Sequence, residues 1–376
     1  MHETNDKPRV VLARCADYGP AVHDAVRRAV AGLGGMARLI RPGWNVLIKP
    51  NLVSAKESDR AITTHPEVVR AVIRMVREAG AVASVGDSPA SVYKLEEVWE
   101  RTGFKTMCEQ ESVPLLNLEK ARSDVVEQEG VAFSVARPVL EADAVVNVPK
   151  LKTHVLTILT NAVKNLYGTI PGFQKTYYHR KYPDVKRFAR LLVLLHDRVR
   201  PVLNVCDAVV GMEGNGPSSG RPVTLGFVAA STDAFALDAA VCRLLGIREQ
   251  AVPFLKNRVP AFDWAGDAAD SLALPRFRSP STLPALLIPR ALMDLLRPWV
   301  WIRPSITDRC RLCGLCVESC PVGALSQAQG ARPSFDYAKC IECCCCHEVC
   351  PHQAVDMTPS FLMRLVSGRS LVPPPS

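Results

Sequence analysis

An open, mostly parallel α/β sheet with helices on both faces, followed by a small cysteine-rich α+β module, is the architecture this sequence predicts. Two observations lead there. Between Arg9 and Gly246, short apolar runs alternate with amphipathic helical stretches joined by short turns, the order that builds right-handed βαβ crossovers and a parallel sheet. Beyond residue 300 the composition changes: ten of the fourteen cysteines fall between Cys310 and Cys350.

The first run, RVVLAR (Arg9 to Arg14), reads as a strand, and Pro20 to Leu33 has helical apolar spacing that stops at Gly34-Gly35. NVLIKPN (Asn45 to Asn51) is the next strand. The helix after it, from TTHPEVVRAVIRMVREAGA, has Thr64 as its expected cap, Pro66 in its first turn and Gly80 at its end, and AVASVGDSP follows as a strand. AVVNVPK (Ala144 to Lys150), a helical run Thr157 to Gly168, a helix Asp184 to Val199, and the strands Pro201 to Gly211 and Thr224 to Ser231 continue the alternation. Asp233 caps the helix AFALDAAVCRLLG, and TYYHRKYP (Thr176 to Pro183) reads as a loop, a candidate lid carrying His179, Arg180 and Lys181. The expected domain limits are 1–270 for the α/β domain, 271–303 for an apolar, Pro-interrupted linker, 304–360 for the cysteine module and 361–376 for a tail.

With 376 residues and a net charge of +9, the basic residues are spread along the chain without a Lys/Arg-rich run or aromatic stacking motif, so no nucleic-acid partner is expected. The charge instead favours anionic small molecules or partners. Residues 283–302 are strongly apolar, yet Pro284, Pro289, Pro298, Arg290, Asp294 and Arg297 break the run, which excludes a transmembrane helix. A packed linker is the expectation, with peripheral membrane contact through Leu295, Leu296, Trp299 and Trp301 as the alternative. The start MHETNDKPR has no apolar segment of a secretory signal, and a cytoplasmic location is expected.

The cysteines carry the most specific signal. Cys310, Cys313, Cys316 and Cys320 are echoed by Cys340, Cys343, Cys346 and Cys350, each set reading CxxCxxCxxxCP. This is the bacterial two-cluster ferredoxin spacing, in which three thiolates wrap one 4Fe-4S cluster and the fourth reaches the other. Cys310, Cys313, Cys316 and Cys350 are therefore assigned to one cluster, and Cys340, Cys343, Cys346 and Cys320 to the second. Zinc, the alternative for repeated CxxC pairs, leaves the third and fourth offsets unexplained. Cys344 and Cys345 are surplus and are expected to line a cluster.

Ligands of open α/β sheets bind beyond the carboxyl ends of the strands. Lys49 and Asn51, then Asp87, then Lys150, Lys152 and His154, then Asp207 and Glu213 fall at four such ends. A single polar residue there is commonly a cap or a turn former; the agreement of four ends points to a site. Lys150, Lys152 and His154, at every second position, line one side of an extended segment. Two ammonium groups suit an anionic substrate, and an imidazole suits proton transfer, which makes these three the catalytic candidates. Asn161, Lys164 and Asn165 share one helical face and join Lys49, Asn51, Asp87, Asp207 and Glu213 as substrate-binding candidates. Asp207 with Glu213 could also hold a hard cation.

The segments VLIKPNLV, TTHPEVV, VGDSP, NVPKLKTH, TNAVKNLYG and DAVVGMEGNGPSSG, followed by the two cysteine motifs, closely resemble the family called domain of unknown function 362, joined to a ferredoxin module. The resemblance spans nearly the whole chain. It implies that Lys49, Asn51, Thr64, His65, Asp87, Lys150, Lys152, His154, Asn161, Lys164, Asn165, Asp207, Glu213, Gly214 and Gly216 match the family pattern, and that the cysteine half is an electron carrier. The expected function is an iron-sulfur oxidoreductase passing single electrons through two 4Fe-4S clusters, between an electron donor or acceptor protein and an anionic small molecule. The alternative is a ferredoxin-like adaptor serving a partner enzyme. No dinucleotide fingerprint points to NAD or FAD, and a flavin bound in some other way is left open.

Overall fold

A computed structural model describes residues 7–90, 92–282 and 301–362. The elements run β1 (Arg9–Arg14), α1 (Pro20–Ala31), α2 (Met36–Leu39), β2 (Asn45–Lys49), α3 (Pro66–Glu78), β3 (Val82–Asp87), α4 (Leu95–Arg101), α5 (Phe104–Gln110), β4 (Leu115–Asn117), β5 (Ser123–Gln128), β6 (Val131–Ala136), α6 (Arg137–Glu141) and β7 (Ala144–Asn147). They continue with β8 (Lys150–His154), β9 (Ile158–Thr160), α7 (Ala162–Asn165), α8 (Gln174–Lys181), α9 (Val185–Val199), β10 (Leu203–Glu213), β11 (Arg221–Ser231), α10 (Ala234–Leu244) and β12 (Asp263–Gly266). The cysteine module holds β13 (Ile302–Ile306), α11 (Leu315–Glu318), β14 (Leu325–Ser326), β15 (Ser334–Phe335), α12 (Cys345–Val349) and β16 (Val355–Pro359).

The large sheet has the order β12-β1-β11-β10-β7-β2-β3-β4, with β8 and β9 continuing from β10. Most neighbours are parallel, and β11 is antiparallel to both β1 and β10. Side chains alternate across it as the strand period requires. Val46, Ile48, Val146, Val205 and Val209 pack under α1 and α3, whereas Leu47, Val145, Cys206, Ala208 and Phe227 pack under α9 and α10. Two apolar cores therefore sandwich one sheet, as the fold class expected. In the cysteine module β13 and β16 form one antiparallel ladder, and β14 and β15 a second.

Several local expectations change. The run Thr157 to Gly168 is not one helix. Ile158–Thr160 pairs with β8 as a strand, and the helix begins at Ala162, because the Asp238 carboxylate accepts hydrogen bonds from Ala162 N and Val163 N at 2.8 and 3.1 Å. Thr64 does not cap α3. His65 does, its ring accepting from Glu67 N, while Thr64 Oγ1 accepts from Asn51 N and donates to Val148 O, tying two strand ends together. TYYHRKYP is helical over most of its length. The hairpin β5–β6 escaped the sequence reading; it turns at Glu129-Gly130, both at positive φ, the two-residue loop geometry that favours glycine.

Among the described residues no helix is long and apolar enough to cross a membrane. Of the stretch expected to pack as a linker or touch a membrane, residues 283–300 lie outside the described residues, as do 363–376 of the expected tail.

Candidate functional site

The cysteines of the small module line two separate cavities. One cavity of the small module is lined by Cys310, Cys313, Cys316 and Cys350, and another by Cys320, Cys340, Cys343 and Cys346 together with Cys344 and Cys345. Each fourth cysteine thus joins the three of the other motif. Cys320 Sγ accepts a hydrogen bond from Ala324 N and Cys350 Sγ one from Ala354 N, both at 3.2 Å. All fourteen cysteines are free thiols. Burial pushes the Cys316 thiol up to about 11, so ionisation there calls for a bound metal. Among the described residues no three His, Cys, Asp or Glu side chains converge closely enough for a single metal ion. Asp207 is paired with Lys150 and Glu213 with Arg221, so the hard cation suggested for these two carboxylates would compete with cations already in place. Four thiolates around each of two separate cavities are the donor chemistry an iron-sulfur cluster needs.

A third cavity, of about 110 Å³, lies between the strand ends and the α12 loop of the cysteine module. Lys49, Asn51, Asp87, Lys152, Lys164 and Asn165 line it from the large domain, and Cys345 and Glu348 from the small one. Cys345 also lines the second cysteine cavity, so one thiol separates the two spaces.

The lysines are held differently. Lys49, at the end of β2, pairs with Asp87 at 2.8 Å and donates to Pro50 O. The Asp87 carboxylate is fixed by Leu52 N and Ser88 N. Gly168 packs directly over this pair, and a Cβ there would run into both the carboxylate and the ammonium. Gly168→Ala is expected to cost roughly 1–3 kcal/mol by overpacking, measured as a lower denaturation midpoint; an unchanged midpoint would show that the pair moves aside freely.

Lys152 donates to Asn51 Oδ1 at 2.8 Å and Ile62 O at 2.6 Å, with no carboxylate partner among the described residues. Burial, with Lys164 nearby, lowers its pKa to about 7. Asn51 in turn donates to Asn165, Asn165 to Asn147, and Asn147 to Asn204, a chain of buried amides that fixes the Lys152 partner. Lys164 is 8% exposed and has no hydrogen bond or ion pair among the described residues; its ammonium lies 5.5 Å from the Tyr167 ring centre. Burial lowers its pKa, opposed by Glu348.

Other expected site residues lie elsewhere. Lys150 is fully buried, 2.9 Å from Asp207 and 2.6 Å from the Tyr18 hydroxyl. Tyr18 also donates to Asp207 and stacks on His65 at 3.8 Å. Lys150 and Asp207 thus complete a closed structural cluster and do not line the cavity. Glu213 is taken up by Arg221 and by the Arg278 backbone. Asn161 is buried beneath the sheet end, beside Asp238 and Cys206. His154 sits behind the cavity wall. Its Nδ1 accepts from Leu156 N and Thr157 N, and its Nε2 lies 2.8 Å from Glu348 Oε1. Burial lowers its pKa to about 3, so it is a neutral imidazole, and neither its Nε2 nor Glu348 Oε1 has a well-aligned hydrogen-bond partner among the described residues. Burial alone would raise the Glu348 carboxyl, but His154 and Lys164 hold it well below the usual carboxylate range.

The sequence reading did not place Lys175, Tyr167, Thr160 or Glu348 in a site, and it gave His179 only to a lid. Lys175 donates to Ser88 and Pro89 carbonyls and to Ser88 Oγ. His179, on α8, is buried against Phe188 with ring centres 4.4 Å apart, and burial lowers its pKa to about 4. The two domains are further joined by Tyr93 to Val349 O, Gln353 to Ser218 O and His347 to Asn215 O.

The chain matches the family model described as "Domain of unknown function (DUF362)" over residues 46–243 and that of the 4Fe-4S binding domain over residues 305–326. It is 35% identical over 230 residues to the thylakoid-associated protein sll1697 of Synechocystis sp., a match covering 61% of this chain and 71% of that protein. It is also 37% identical over 62 residues to the pyruvate synthase subunit PorD of Thermotoga maritima, covering 16% of this chain and 63% of that subunit. A lactate racemase apoprotein structure from Thermoanaerobacterium thermosaccharolyticum aligns with 12% identity and a TM-score of 0.43, covering 64% of this chain and 57% of that one, a likeness too slight to carry an argument. An iron-sulfur module and an architecture consistent with redox chemistry are thereby supported, and the chain belongs to the DUF362 family, with a 4Fe-4S ferredoxin-type domain in the same polypeptide.

Proposed function

We propose that this protein is an iron-sulfur oxidoreductase acting on a small anionic molecule held between the strand ends and the second cysteine loop. Lys152 and Lys164 line the same cavity as Cys345 and Glu348, and this juxtaposition carries the assignment. We read two 4Fe-4S clusters, one on Cys310, Cys313, Cys316 and Cys350 and the other on Cys340, Cys343, Cys346 and Cys320. When bound, they supply single-electron chemistry, replenished by a partner electron-carrier protein. A reducing compartment such as the cytoplasm suits the free thiols.

The chain's own residues do the remaining work. Lys152 and Lys164 hold the anion, and the amide chain behind Asn51 keeps Lys152 in place. Leu52, Val53 and Phe173 line the wall and limit water, which strengthens each charge contact inside. His179 is the proton-handling group. It is a neutral imidazole in the cavity wall, whereas His154 is fully buried behind that wall. His179 takes a proton from the bound anion as that molecule is oxidised, and returns it on reduction. An adaptor would need an exposed docking surface in this place, and a lined cavity favours the enzyme.

The test is anaerobic reduction of the purified protein with dithionite, followed by a panel of small anions, with cluster absorbance and EPR as readouts. At least one anion is expected to reoxidise the wild type. Lys164→Met should raise its KM by roughly 10- to 100-fold through loss of one buried charge contact, with the EPR signals unchanged. If no anion exchanges electrons and the variant matches wild type, the reading fails.

The pH dependence follows from the same groups. For oxidation of the anion His179 must be neutral, so kcat/KM in that direction should rise as pH increases through about 4; in the direction in which the anion is reduced His179 must carry the proton, and kcat/KM should fall through about 4. Lys152 must be charged, so kcat/KM should fall as pH increases through about 7. A profile rising steadily to pH 9 would remove Lys152 from the site.

A further inference from the structure

We propose that the ligand of this cavity is a small dianion, a dicarboxylate or phosphate monoester of roughly seven to eleven non-hydrogen atoms, judged from its volume against the space one water needs. This rests on the cavity being an anion site and goes beyond it to the charge the site selects.

Charge balance is the first argument. Four ammonium groups line the cavity, those of Lys49, Lys152, Lys164 and Lys175, against the two carboxylates of Asp87 and Glu348. Lys49 and Asp87 cancel in a closed pair. Three ammonium groups then face one carboxylate, which leaves two positive charges when all three are protonated, the state a bound anion favours. Uncompensated buried charge is costly. A monoanion leaves one such charge unmatched, and a dianion leaves none.

Unused hydrogen-bonding capacity is the second argument, and it is independent of the first. Lys164 has all three N–H groups free of protein acceptors among the described residues. Lys152 spends two on Asn51 and Ile62 and keeps one. Directly opposite Lys152 in the β8–β9 ladder stands Thr160, which lines the cavity with a buried hydroxyl that has no partner among the described residues. A buried donor left unmade is destabilising, so these three side chains mark where oxyanions would bind. Lys175 is excluded from direct binding, since three protein oxygens already take its N–H groups; it contributes charge only. The apolar wall at Leu52, Val53 and Phe173 suits a short hydrocarbon spine.

The competing role for the surplus charge is to balance the thiolates of the neighbouring cluster. Cys345 stands between, and neither Lys152 nor Lys164 hydrogen-bonds a cysteine among the described residues.

The experiment is isothermal titration of the full-length, anaerobically purified protein at low salt. The probes are succinate, butyrate as its monoanionic counterpart, and propyl phosphate, with midpoint potentials measured in parallel. A dianion should bind at least about tenfold more tightly than butyrate. Lys164→Met should abolish that preference, and Lys164→Arg, which keeps the charge, should retain it. Succinate and propyl phosphate separate the carboxylate and phosphate sources. Equal binding of succinate and butyrate, dependent on Lys164, would overturn the dianion assignment and leave the anion site standing. Binding of none of the probes, with potentials shifted in Lys164→Met, would assign the lysines to the clusters and overturn both.

Discussion

Replacing Asp207 by alanine should cost the fold about 3–5 kcal/mol, the penalty of leaving a buried charge without its partner. Lys150 and Asp207 are both fully buried and 2.9 Å apart. Burial already lowers the Lys150 pKa, and Asp207 is the group that opposes this most. Asp207 also accepts from the Tyr18 hydroxyl and from His65 N, so its loss leaves three donors unsatisfied in a closed space. The double variant Lys150→Met/Asp207→Leu removes the charge with its partner and should recover most of the loss, since buried pairs are often replaceable by apolar residues of similar volume. Urea midpoints of the holoprotein provide the readout. A loss below about 1 kcal/mol, or a loss confined to substrate turnover, would return Lys150 to the list of catalytic groups.

The second large effect concerns His179. His179→Gln should lower turnover by about 10²- to 10⁴-fold, the usual contribution of a positioned acid or base, while far-UV CD and the cluster EPR signals stay as in wild type. Glutamine keeps a polar group near the same position but cannot exchange a proton. His154→Gln should behave differently. His154 orients Glu348 from behind and is a positioning residue, so its loss should act mainly on KM. Turnover in His179→Gln within twofold of wild type would falsify the proton role.

Much of the fold was legible because strand and helix periods write themselves into sequence. Val46 and Ile48 go to one core and Leu47 to the other, as a period of two demands, and the cysteine offsets placed all eight motif cysteines around two cavities of the small module. The helix boundary at Ala162 was not legible, because the carboxylate that starts it, Asp238, lies far along the chain. The site was legible in part for a similar reason. Lys150 and Lys152 share a face, and period alone cannot say which of them meets a carboxylate. In the ladder with β10, Lys150 stands opposite Asp207 and Lys152 opposite Met212, with a register shift between. One lysine is therefore neutralised and the other left to the cavity. Glu348 was out of reach altogether. Its position depends on how the cysteine module docks against β8, through contacts such as His347 to Asn215 that no local pattern encodes.

The central claim is that an anion bound by Lys152 and Lys164 lies beside the second cysteine set. Pulsed EPR on the dithionite-reduced protein with a ¹³C-labelled bound anion tests it directly. A resolved ¹³C hyperfine coupling to one of the two cluster signals, lost in Lys164→Met, is the expected result. A labelled anion that binds with undiminished affinity yet shows no coupling to either signal would contradict the account.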